Sequence, residues 1–457
     1  MKTDKHCCIK ASLLALTGAV ALGAMADNPI VPPGMYCADP SAHQWRPGGA
    51  VYIYGSRDEA KDYYCSYDYD VWESSDMDSF KLHPYVFASK GEEDEVLYNE
   101  ELLFAPDCLE KDGRYYLFYC QGGSPDVEGV AIGDSPAGPF RKGTLLEGAW
   151  QIDPAVFVDE DGQPYLFYGQ FSAKCARLAD DLKSIDKSSI KDGIITEKDH
   201  FFHEGIQVLK RGDWYYLVYA DIQRRGMPTC IGYAMSRNLT GPYEYKGIIV
   251  DNFGCDPFVW NNHGSIAEVD GKWYVFYHRS TNGSERMRKA CVEPITFNPD
   301  GTINEVEMTT QGASGPLDPF KVMPAAKACY LTGDARITVR EMGDYRTGKE
   351  GVEELTDIRD MNTAAFRYFD FTREPQNISV TLKPQAGGVI EVYANTLSLP
   401  RLAVIQVPEG DGKTPVTLTV SVTPEPEMSL LGVRPVFFRF RGEQGKDICS
   451  MLDFKFD

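Results

Sequence analysis

The chain contains no tryptophan in its last third and no long apolar run beyond its first two dozen residues. All six tryptophans lie at or before Trp273 in a sequence of 457 residues. Lys and Arg, at 46, are outnumbered by 67 Asp and Glu, which gives a formal net charge of −21. This balance argues against nucleic acid or an anionic membrane surface as a partner. The lack of a later apolar run argues against membrane insertion. The cysteines show no CxxC spacing of the kind that would indicate a zinc site.

The first 26 residues have the features of a signal peptide. Three lysines precede or flank the short apolar run ASLLALTGAVALG, and the AMA sequence that follows has the form of a cleavage site. We therefore expect a protein exported to the periplasm or the extracellular space, beginning near Asp27. Export permits disulfides, but pairing cannot be deduced from the sequence. We interpret most of the ten later cysteines as small buried apolar residues.

One aromatic strand pattern is repeated five times. It reads AVYIYGS, RYYLFYC, QPYLFYG, WYYLVYA and KWYVFYH, and four copies follow Gly-Asp or Asp-Gly turns typical of hairpins. The equivalent tyrosines are Tyr52, Tyr116, Tyr165, Tyr216 and Tyr274, at spacings of 64, 49, 51 and 58 residues. Four-stranded propeller blades need about 40–50 residues. The repeat therefore predicts an all-β fold with a five-bladed β-propeller, against the alternative of a plain β-sandwich.

A second set of positions recurs about twelve residues before each tyrosine. It contains Asp39, Phe104, Asp153, Glu204 and His263. If the tyrosines lie on the second strand of each blade, these residues begin the innermost strands, which line the axis of a propeller. Three carboxylates and one histidine would then meet in a central pocket. Paired carboxylates are the minimal equipment for glycoside hydrolysis, one activating water and one protonating the leaving oxygen.

These motifs resemble glycoside hydrolase family 43. The resemblance is carried by ADPSA, FAPDCLEKDGRYYLFY, IDPAVFVDEDGQPYLFY, HEGIQVLKRGDWYYLVY and HGSIAEVDGKWYVFYH. It implies a five-bladed propeller that hydrolyses with inversion. By motif, Asp39 resembles the general base, Asp153 the acid that tunes pKa and orients, and Glu204 the general acid. Inversion predicts that Asp39 and Glu204 lie roughly 6.5–9.5 Å apart.

The resemblance suggests further site residues and one metal. His263 resembles a residue beside an axial ion, often calcium, and a purely structural role is the open alternative; the chemistry itself requires no metal. Phe104 stands where tryptophan is common, and Trp150 is a candidate for stacking on a sugar. The arginine of the fifth blade falls among Arg286 and Arg288, and we favour Arg288 for substrate binding.

The sequence pattern changes after a stretch rich in Gly and Pro. From about Ala325, clean alternation such as ARITVRE, FRYFDF and ISVTLK predicts a β-sandwich. Its ending resembles carbohydrate-binding modules of family 6, although it has no tryptophan and keeps only Asp453 of the acids expected near a calcium site. We expect a propeller over residues 27–318 and a jelly-roll-like sandwich over 319–457. The sandwich is predicted to contribute to stability or targeting more than to chemistry.

The resulting hypothesis is an exo-acting, inverting glycosidase. It would release arabinofuranose or xylose from neutral plant polysaccharide side chains or oligosaccharides. The alternatives are a galactan-cleaving member of the family and a non-catalytic sugar-binding propeller. Sugar, linkage and oligomeric state stay open because loops decide the shape of the pocket.

Overall fold

The computed structural model describes residues 27–457, apart from 124, 228, 258, 399 and 424–428. The expected signal peptide lies outside the described residues. The architecture is all-β with almost no helix: within the described part there is one short α-helix, α1 (Glu197–His200), and short 3₁₀ turns. No helix in this part is long and apolar enough to cross a membrane.

Four successive sheets of four antiparallel strands follow one another along the chain, each with its strands in sequential order. The first contains β1 (Ala38–Gln44), β2 (Val51–Ser56), β3 (Asp68–Ser74) and β4 (Lys81–Ala88). The second contains β5 (Asp107–Lys111), β6 (Arg114–Gln121), β7 (Val127–Gly133) and β8 (Arg141–Leu145). The third contains β9 (Ala155–Val158), β10 (Pro164–Tyr168), β11 (Ser172–Arg177) and β12 (Lys191–Thr196). The fourth contains β13 (Phe202–Arg211), β14 (Trp214–Asp221), β15 (Cys230–Ser236) and β16 (Glu244–Val250).

A fifth sheet has three strands and is completed by the beginning of the described chain. It contains β17 (Ser265–Val269), β18 (Lys272–Thr281) and β19 (Ser284–Ile295). The segment before β1 runs beside β19: Ile30 N donates to Ala290 O at 2.9 Å and Cys37 N to Arg288 O at 3.1 Å. The two ends of this five-sheet region are therefore joined by hydrogen bonds.

The repeat found in the sequence corresponds to one place in every sheet. All five reference tyrosines lie on the second strand, which is β2, β6, β10, β14 or β18. The hairpins before them use the expected residues. Asp112 and Gly113 have φ of +55° and +77°, and Asp270 and Gly271 have +49° and +79°. Two successive positive φ values match the right-handed twist of the flanking strands, which explains the Asp-Gly pairs.

The C-terminal part forms two further antiparallel sheets. One contains β22 (Arg336–Glu341), β23 (Val352–Ile358), β30 (Cys449–Phe456), β25 (Asn377–Pro384) and β28 (Val416–Ser421), with β20 (Met323–Pro324) paired to β30. The other contains β21 (Tyr330–Leu331), β24 (Thr363–Phe371), β29 (Gly432–Arg441), β26 (Gly388–Ala394) and β27 (Ala403–Val407). A single buried hydrophobic cluster fills the space between the two sheets. The ring centroids of Phe366 and Phe438 in one sheet each lie 4.8 Å from that of Phe454 in the other.

The C-terminal sheets are tied to the five-sheet region by buried polar contacts. Lys289 on β19 donates to both carboxylate oxygens of Glu353 on β23, at 2.7 and 2.8 Å, and both side chains are buried. Tyr345 accepts from Tyr36 N at 2.6 Å, and Leu331 N donates to Gly254 O at 2.7 Å.

The ten cysteines of the described residues are all buried and unpaired. This agrees with their interpretation as small apolar side chains. Burial raises the pKa of thiols such as Cys37 and Cys65 well above the ordinary value, so they remain protonated.

Candidate active site

A cavity of about 530 Å³ opens among the first strands of the sheets. It brings together residues that are up to 249 positions apart in the chain. The sequence-predicted residues that line it are Asp39, Phe104, Asp153, Glu204, His263 and Arg288. Asp39 and Glu204 lie near the starts of β1 and β13, and Asp153 and His263 lie two residues before β9 and β17. The residues at the repeated sequence position therefore lie close together around one cavity.

Asp39 is held as a carboxylate by the groups around it. Its side chain is buried; Arg288 donates to Oδ1 at 2.8 Å and Ser56 to Oδ2 at 2.7 Å. His263 Nδ1 lies 3.4 Å from Oδ1. Burial alone would raise the pKa of Asp39, but the Arg288 and His263 charges outweigh it and hold the pKa well below the ordinary range. Asp39 is therefore ionised at neutral pH.

Asp153 has the same backbone geometry in a different electrostatic environment. Both aspartates precede a proline and have left-handed backbone, with φ of +52° at Asp39 and +61° at Asp153. Such strain costs about 1–3 kcal/mol and is found at functional sites. Burial, with the nearby charges of Glu204 and Asp39, raises the pKa of Asp153 to about 8, against the opposing effect of His263. Asp153 therefore holds a proton more readily than Asp39.

Glu204 is the most accessible of the three carboxylates. Its side chain is 31% exposed, compared with 6% for Asp39. Gln170 Nε2 donates to its Oε2 at 2.7 Å, and His203 Nε2 lies 3.9 Å from the same atom. The pairing of β13 with β14 shifts register on both sides of Glu204. Bulges of this kind re-aim a side chain, and here the carboxylate is presented to the cavity.

Two histidines beside Asp39 have pKa values that are shifted in opposite directions. His278 is buried, and its pKa is lowered to about 3 by burial and by the Arg288 charge. Its Nδ1 accepts from Asp39 N at 3.1 Å, so Nε2 carries the hydrogen and donates to Asn261 Oδ1 at 2.8 Å. The pKa of His263 is instead raised: burial lowers it, but the carboxylates, Asp39 above all, have the larger combined effect. A positive charge on His263 is thus favoured beside three acids.

Gly205 allows His263 to approach the backbone beside Glu204. Its φ is +68°, and a Cβ at this residue would lie 2.4 Å from His263 Nε2. Any larger side chain would displace the imidazole or the strand that carries Glu204. The Glu-Gly pair is consequently a packing requirement of the site.

Arg288 is fixed by a second buried carboxylate that the sequence analysis did not select. Asp58 accepts from Arg288 Nε and Nη2, both at 2.8 Å, and it is fully buried. Arg288 thus bridges Asp58 and Asp39, and its backbone N–H also donates to Asp58 at 2.8 Å. Asp58 and His278 lie outside the repeated positions, so the repeat carried no signal for either residue. Arg286 pairs instead with the partly exposed Glu285 at 3.3 Å.

Comparisons with known proteins identify the family of this chain. The family model described as glycosyl hydrolases family 43 matches residues 26–303. The chain belongs to glycosyl hydrolases family 43. It is therefore a glycoside hydrolase. A xylosidase/arabinosidase of Thermoclostridium stercorarium is 31% identical over 93% of this chain and 98% of its own length. A beta-xylosidase of Xylanibacter ruminicola is 29% identical over 60% of this chain and 98% of its own.

Solved structures of family 43 proteins resemble the same region. A beta-xylosidase/alpha-arabinofuranosidase from a compost microbial metagenome, in complex with xylotriose and in a calcium-free form, is 29% identical. It covers 64% of this chain and 99% of its own, with a TM-score of 0.53. An arabinoxylan arabinofuranohydrolase from Bacillus subtilis covers 95% of this chain and 99% of its own at 23% identity and a TM-score of 0.53. The second likeness shows the fold alone.

The aromatic candidates of this family 43 chain occupy different environments. Phe104 lines the cavity, and its ring packs over Gly122, where a Cβ would lie 2.4 Å from Phe104 Cε2. Trp150 is 54% exposed and is not among the cavity-lining residues. A different tryptophan, Trp260, lines the cavity instead. The repeat could not identify Trp260 because it lies in a connection between sheets.

The sequence resemblance predicted an axial ion, often calcium, beside His263. Calcium takes six to eight oxygen ligands. Among the residues that the structure describes, no group of three or more His, Cys, Asp or Glu side chains is arranged to hold a metal ion. His263 presents nitrogens, and its Nδ1 faces Asp39. No catalytic step is therefore assigned to a metal in this site.

Proposed function

We propose that this enzyme is an exo-acting, inverting glycosidase that releases arabinofuranose or xylose from plant polysaccharide side chains or oligosaccharides. The observation that carries this proposal is the meeting of Asp39, Asp153 and Glu204 in one cavity with different electrostatic surroundings. The names of the relatives, which include xylosidases and arabinosidases, support the two sugars. The size of the cavity is compatible with a small ligand.

In this proposal Asp39 is the general base. It is the carboxylate that stays ionised, since Arg288 and Ser56 both donate to it. An ionised carboxylate can accept a proton from water as the water attacks the anomeric carbon. Its separation from Glu204 stays a prediction of roughly 6.5–9.5 Å, the space that inversion requires for the water.

Glu204 is the proposed general acid, and Asp153 is the proposed acid that tunes the pKa of the site and orients. Glu204 is the most exposed of the three carboxylates, with 31% of its side chain accessible to a leaving group. The charge of Glu204 helps to raise the pKa of Asp153, and the two carboxyls, which repel each other as anions, are proposed to share one proton. Protonation of the leaving oxygen by Glu204 completes the hydrolysis, and the water supplies the hydroxyl of the inverted product.

Replacing Asp153 with asparagine should shift the alkaline limb of the pH–rate profile to lower pH. The like charge of Asp153 helps the pair to keep its proton, and a neutral amide removes that repulsion, so the acid loses its proton at lower pH. The measurement is kcat/KM against pH on an unactivated xyloside or arabinofuranoside. An unchanged alkaline limb would contradict the proposed role, and a Glu160→Gln variant, altered at an exposed acid, serves as the control.

We infer that the five sheets are the blades of a β-propeller over residues 27–318 and that the last two sheets form a sandwich over 319–457. The first strands support this, because β1 contacts β5, β5 contacts β9, β9 contacts β13, and β17 contacts β1. The shared buried core supports a sandwich. We also propose that the C-terminal sandwich resembles family 6 carbohydrate-binding modules. The same proposal includes export through the signal peptide and a calcium ion near His263. Loss of activity in a chelator would show that a metal is needed for the chemistry, contrary to our expectation.

The substrate proposal predicts release of a single sugar with inverted configuration. Nitrophenyl arabinofuranoside, xyloside and galactoside should be compared with arabinan, arabinoxylan and arabinogalactan, and the first product should be followed by NMR. Arabinose or xylose released with inversion is the expected result. Retention of configuration would overturn the mechanism, galactose release would favour the galactan-cleaving alternative, and no release from any substrate would favour a sugar-binding protein.

A further inference from the structure

A second groove lies where the five-sheet region meets the C-terminal sheets. Its volume is about 420 Å³. Asp251 and Phe253 come from the connection that follows β16, and Arg225 from the connection between β14 and β15. Tyr330 on β21 and Arg367 on β24 come from the C-terminal part. The groove is therefore complete only when both parts of the chain are present.

Aromatic rings connect this groove with the catalytic cavity. Trp260 lines the cavity, and its ring centroid lies 5.2 Å from that of Phe253, which lines the groove. Phe253 lies 6.2 Å from Tyr330 on the opposite wall, and 37% of Phe253 is exposed. The same two connections supply both sites, since Met227 lines the cavity and Arg225 the groove. These ring contacts place the groove next to the cavity.

Two polar groups of the C-terminal wall are free to bind a ligand. Within the described residues, the Arg367 guanidinium makes no ion pair or side-chain hydrogen bond, and it lies 5.8 Å from the centroid of the Tyr330 ring. The Tyr330 hydroxyl likewise has no hydrogen-bond partner in that part of the chain. Tyr330 is held in place by its backbone neighbour, since Leu331 N donates to Gly254 O at 2.7 Å.

The charges of the groove favour a neutral ligand. Its lining carries the carboxylates Asp251, Glu305 and Glu307 against the two guanidinium groups of Arg225 and Arg367. Arg225 is already engaged, with Asp251 at 3.3 Å and the Phe253 ring at 3.9 Å. A single free guanidinium does not make an anion site, whereas aromatic faces with a few hydrogen-bonding groups suit the apolar face and hydroxyls of a sugar.

We propose that this groove is a distal sugar subsite, which binds the remainder of the oligosaccharide or polysaccharide chain whose terminal sugar occupies the catalytic cavity. The inference rests on the proposed function. Phe253 and Tyr330 provide the apolar contacts, and Arg367 and the Tyr330 hydroxyl donate to sugar oxygens. The C-terminal part thereby takes part in substrate recognition, in addition to its predicted contribution to stability.

The test compares long and short substrates in Arg367→Ala and Tyr330→Leu variants. We expect kcat/KM on xylohexaose or linear arabinohexaose to fall about tenfold, mainly because KM rises. A tenfold change is the effect expected from the loss of one charge-assisted hydrogen bond. On nitrophenyl xyloside and arabinofuranoside, which are too short to reach the groove, kcat/KM should stay within about twofold of the original protein. Arg373→Ala is the matched control, because Arg373 also covers an aromatic ring, Phe320 at 3.9 Å, outside the groove.

Calorimetry with the same hexaoses on an Asp39→Asn background separates this inference from the proposed function. If the original protein releases no arabinose or xylose, the proposed function fails, and hexaose binding that is weakened by Arg367→Ala still supports the groove. If Arg367→Ala and Tyr330→Leu bind and hydrolyse the hexaoses like the original protein, the subsite is overturned. A loss that is equal on nitrophenyl substrates would also overturn it, because it would indicate a general structural defect.

Discussion

Replacing Asp39 with asparagine should abolish hydrolysis of both activated and unactivated glycosides. Asn cannot accept a proton from the attacking water, and no substrate supplies its own nucleophile, so kcat should fall by about 10²–10⁴-fold on each. Glu204→Gln should cause a similar loss on substrates with poor leaving groups but be partly spared on a nitrophenyl glycoside, whose leaving group needs little protonation. Steady-state kinetics on both substrate types measures the difference.

The structure gives two reasons for this division of roles. Arg288, Ser56 and His263 surround Asp39 and keep it ionised, which suits a base and not an acid. Glu204 accepts from the Gln170 amide at 2.7 Å, and 31% of its side chain is accessible to a leaving group. If Asp39→Asn retained activity on the nitrophenyl substrate while Glu204→Gln did not, the base and the acid would be reversed. Glu160→Gln, which alters an exposed acid paired with Lys210, should match the original protein.

Replacing Glu353 with glutamine should lower the free energy of unfolding by about 3–5 kcal/mol at pH 7, the usual consequence of leaving a buried charge without its partner. Lys289 and Glu353 expose only 2% and 4% of their side chains, and Lys289 donates to both carboxylate oxygens. Glu353 also accepts from Gly34 N at 2.9 Å. Denaturant unfolding at fixed pH measures the change.

The loss caused by Glu353→Gln should depend on pH. Burial lowers the pKa of Lys289 even beside Glu353, and removing the carboxylate lowers this pKa further. The unfolded chain then binds more protons than the folded protein, so the stability of the variant rises with pH towards the ordinary lysine range. Glu443→Gln breaks the exposed pair with Lys446 and should cost less than about 1 kcal/mol. Equal effects of the two substitutions would show that the buried pair does not join the two parts.

The buried pair and the proposed distal groove both bear on the predicted role of the C-terminal part. Its sequence lacks tryptophan, and a supporting role and sugar binding were both left open. The structure places Tyr330 and Arg367 beside Phe253, so the aromatic surface is shared between the two parts. Neither part of the chain supplies all the residues that line this groove.

The sequence by itself determined the elements that depend on local chemistry. Alternating aromatic and branched residues form the strands with the reference tyrosines, and Asp-Gly pairs such as Asp112-Gly113 form their hairpins, because pleat and turn geometry are set by neighbouring residues. The repeat also identified Asp39, Asp153 and Glu204, since each lies within two residues of the start of the first strand of its sheet. In a repeated fold, equivalent strands bring equivalent residues together. A repeat in the sequence can therefore predict which residues share a site.

Only the tertiary structure decided which partners these residues meet. Asp58 joins Arg288 across 230 positions, His278 accepts from the Asp39 backbone across 239, and Trp260 lines the cavity from which Trp150 is absent. No local pattern encodes such pairs, because they depend on how the sheets and the connections between them pack together. The same packing, by setting the burial and neighbouring charges of each carboxyl, keeps Asp39 ionised and raises the pKa of Asp153.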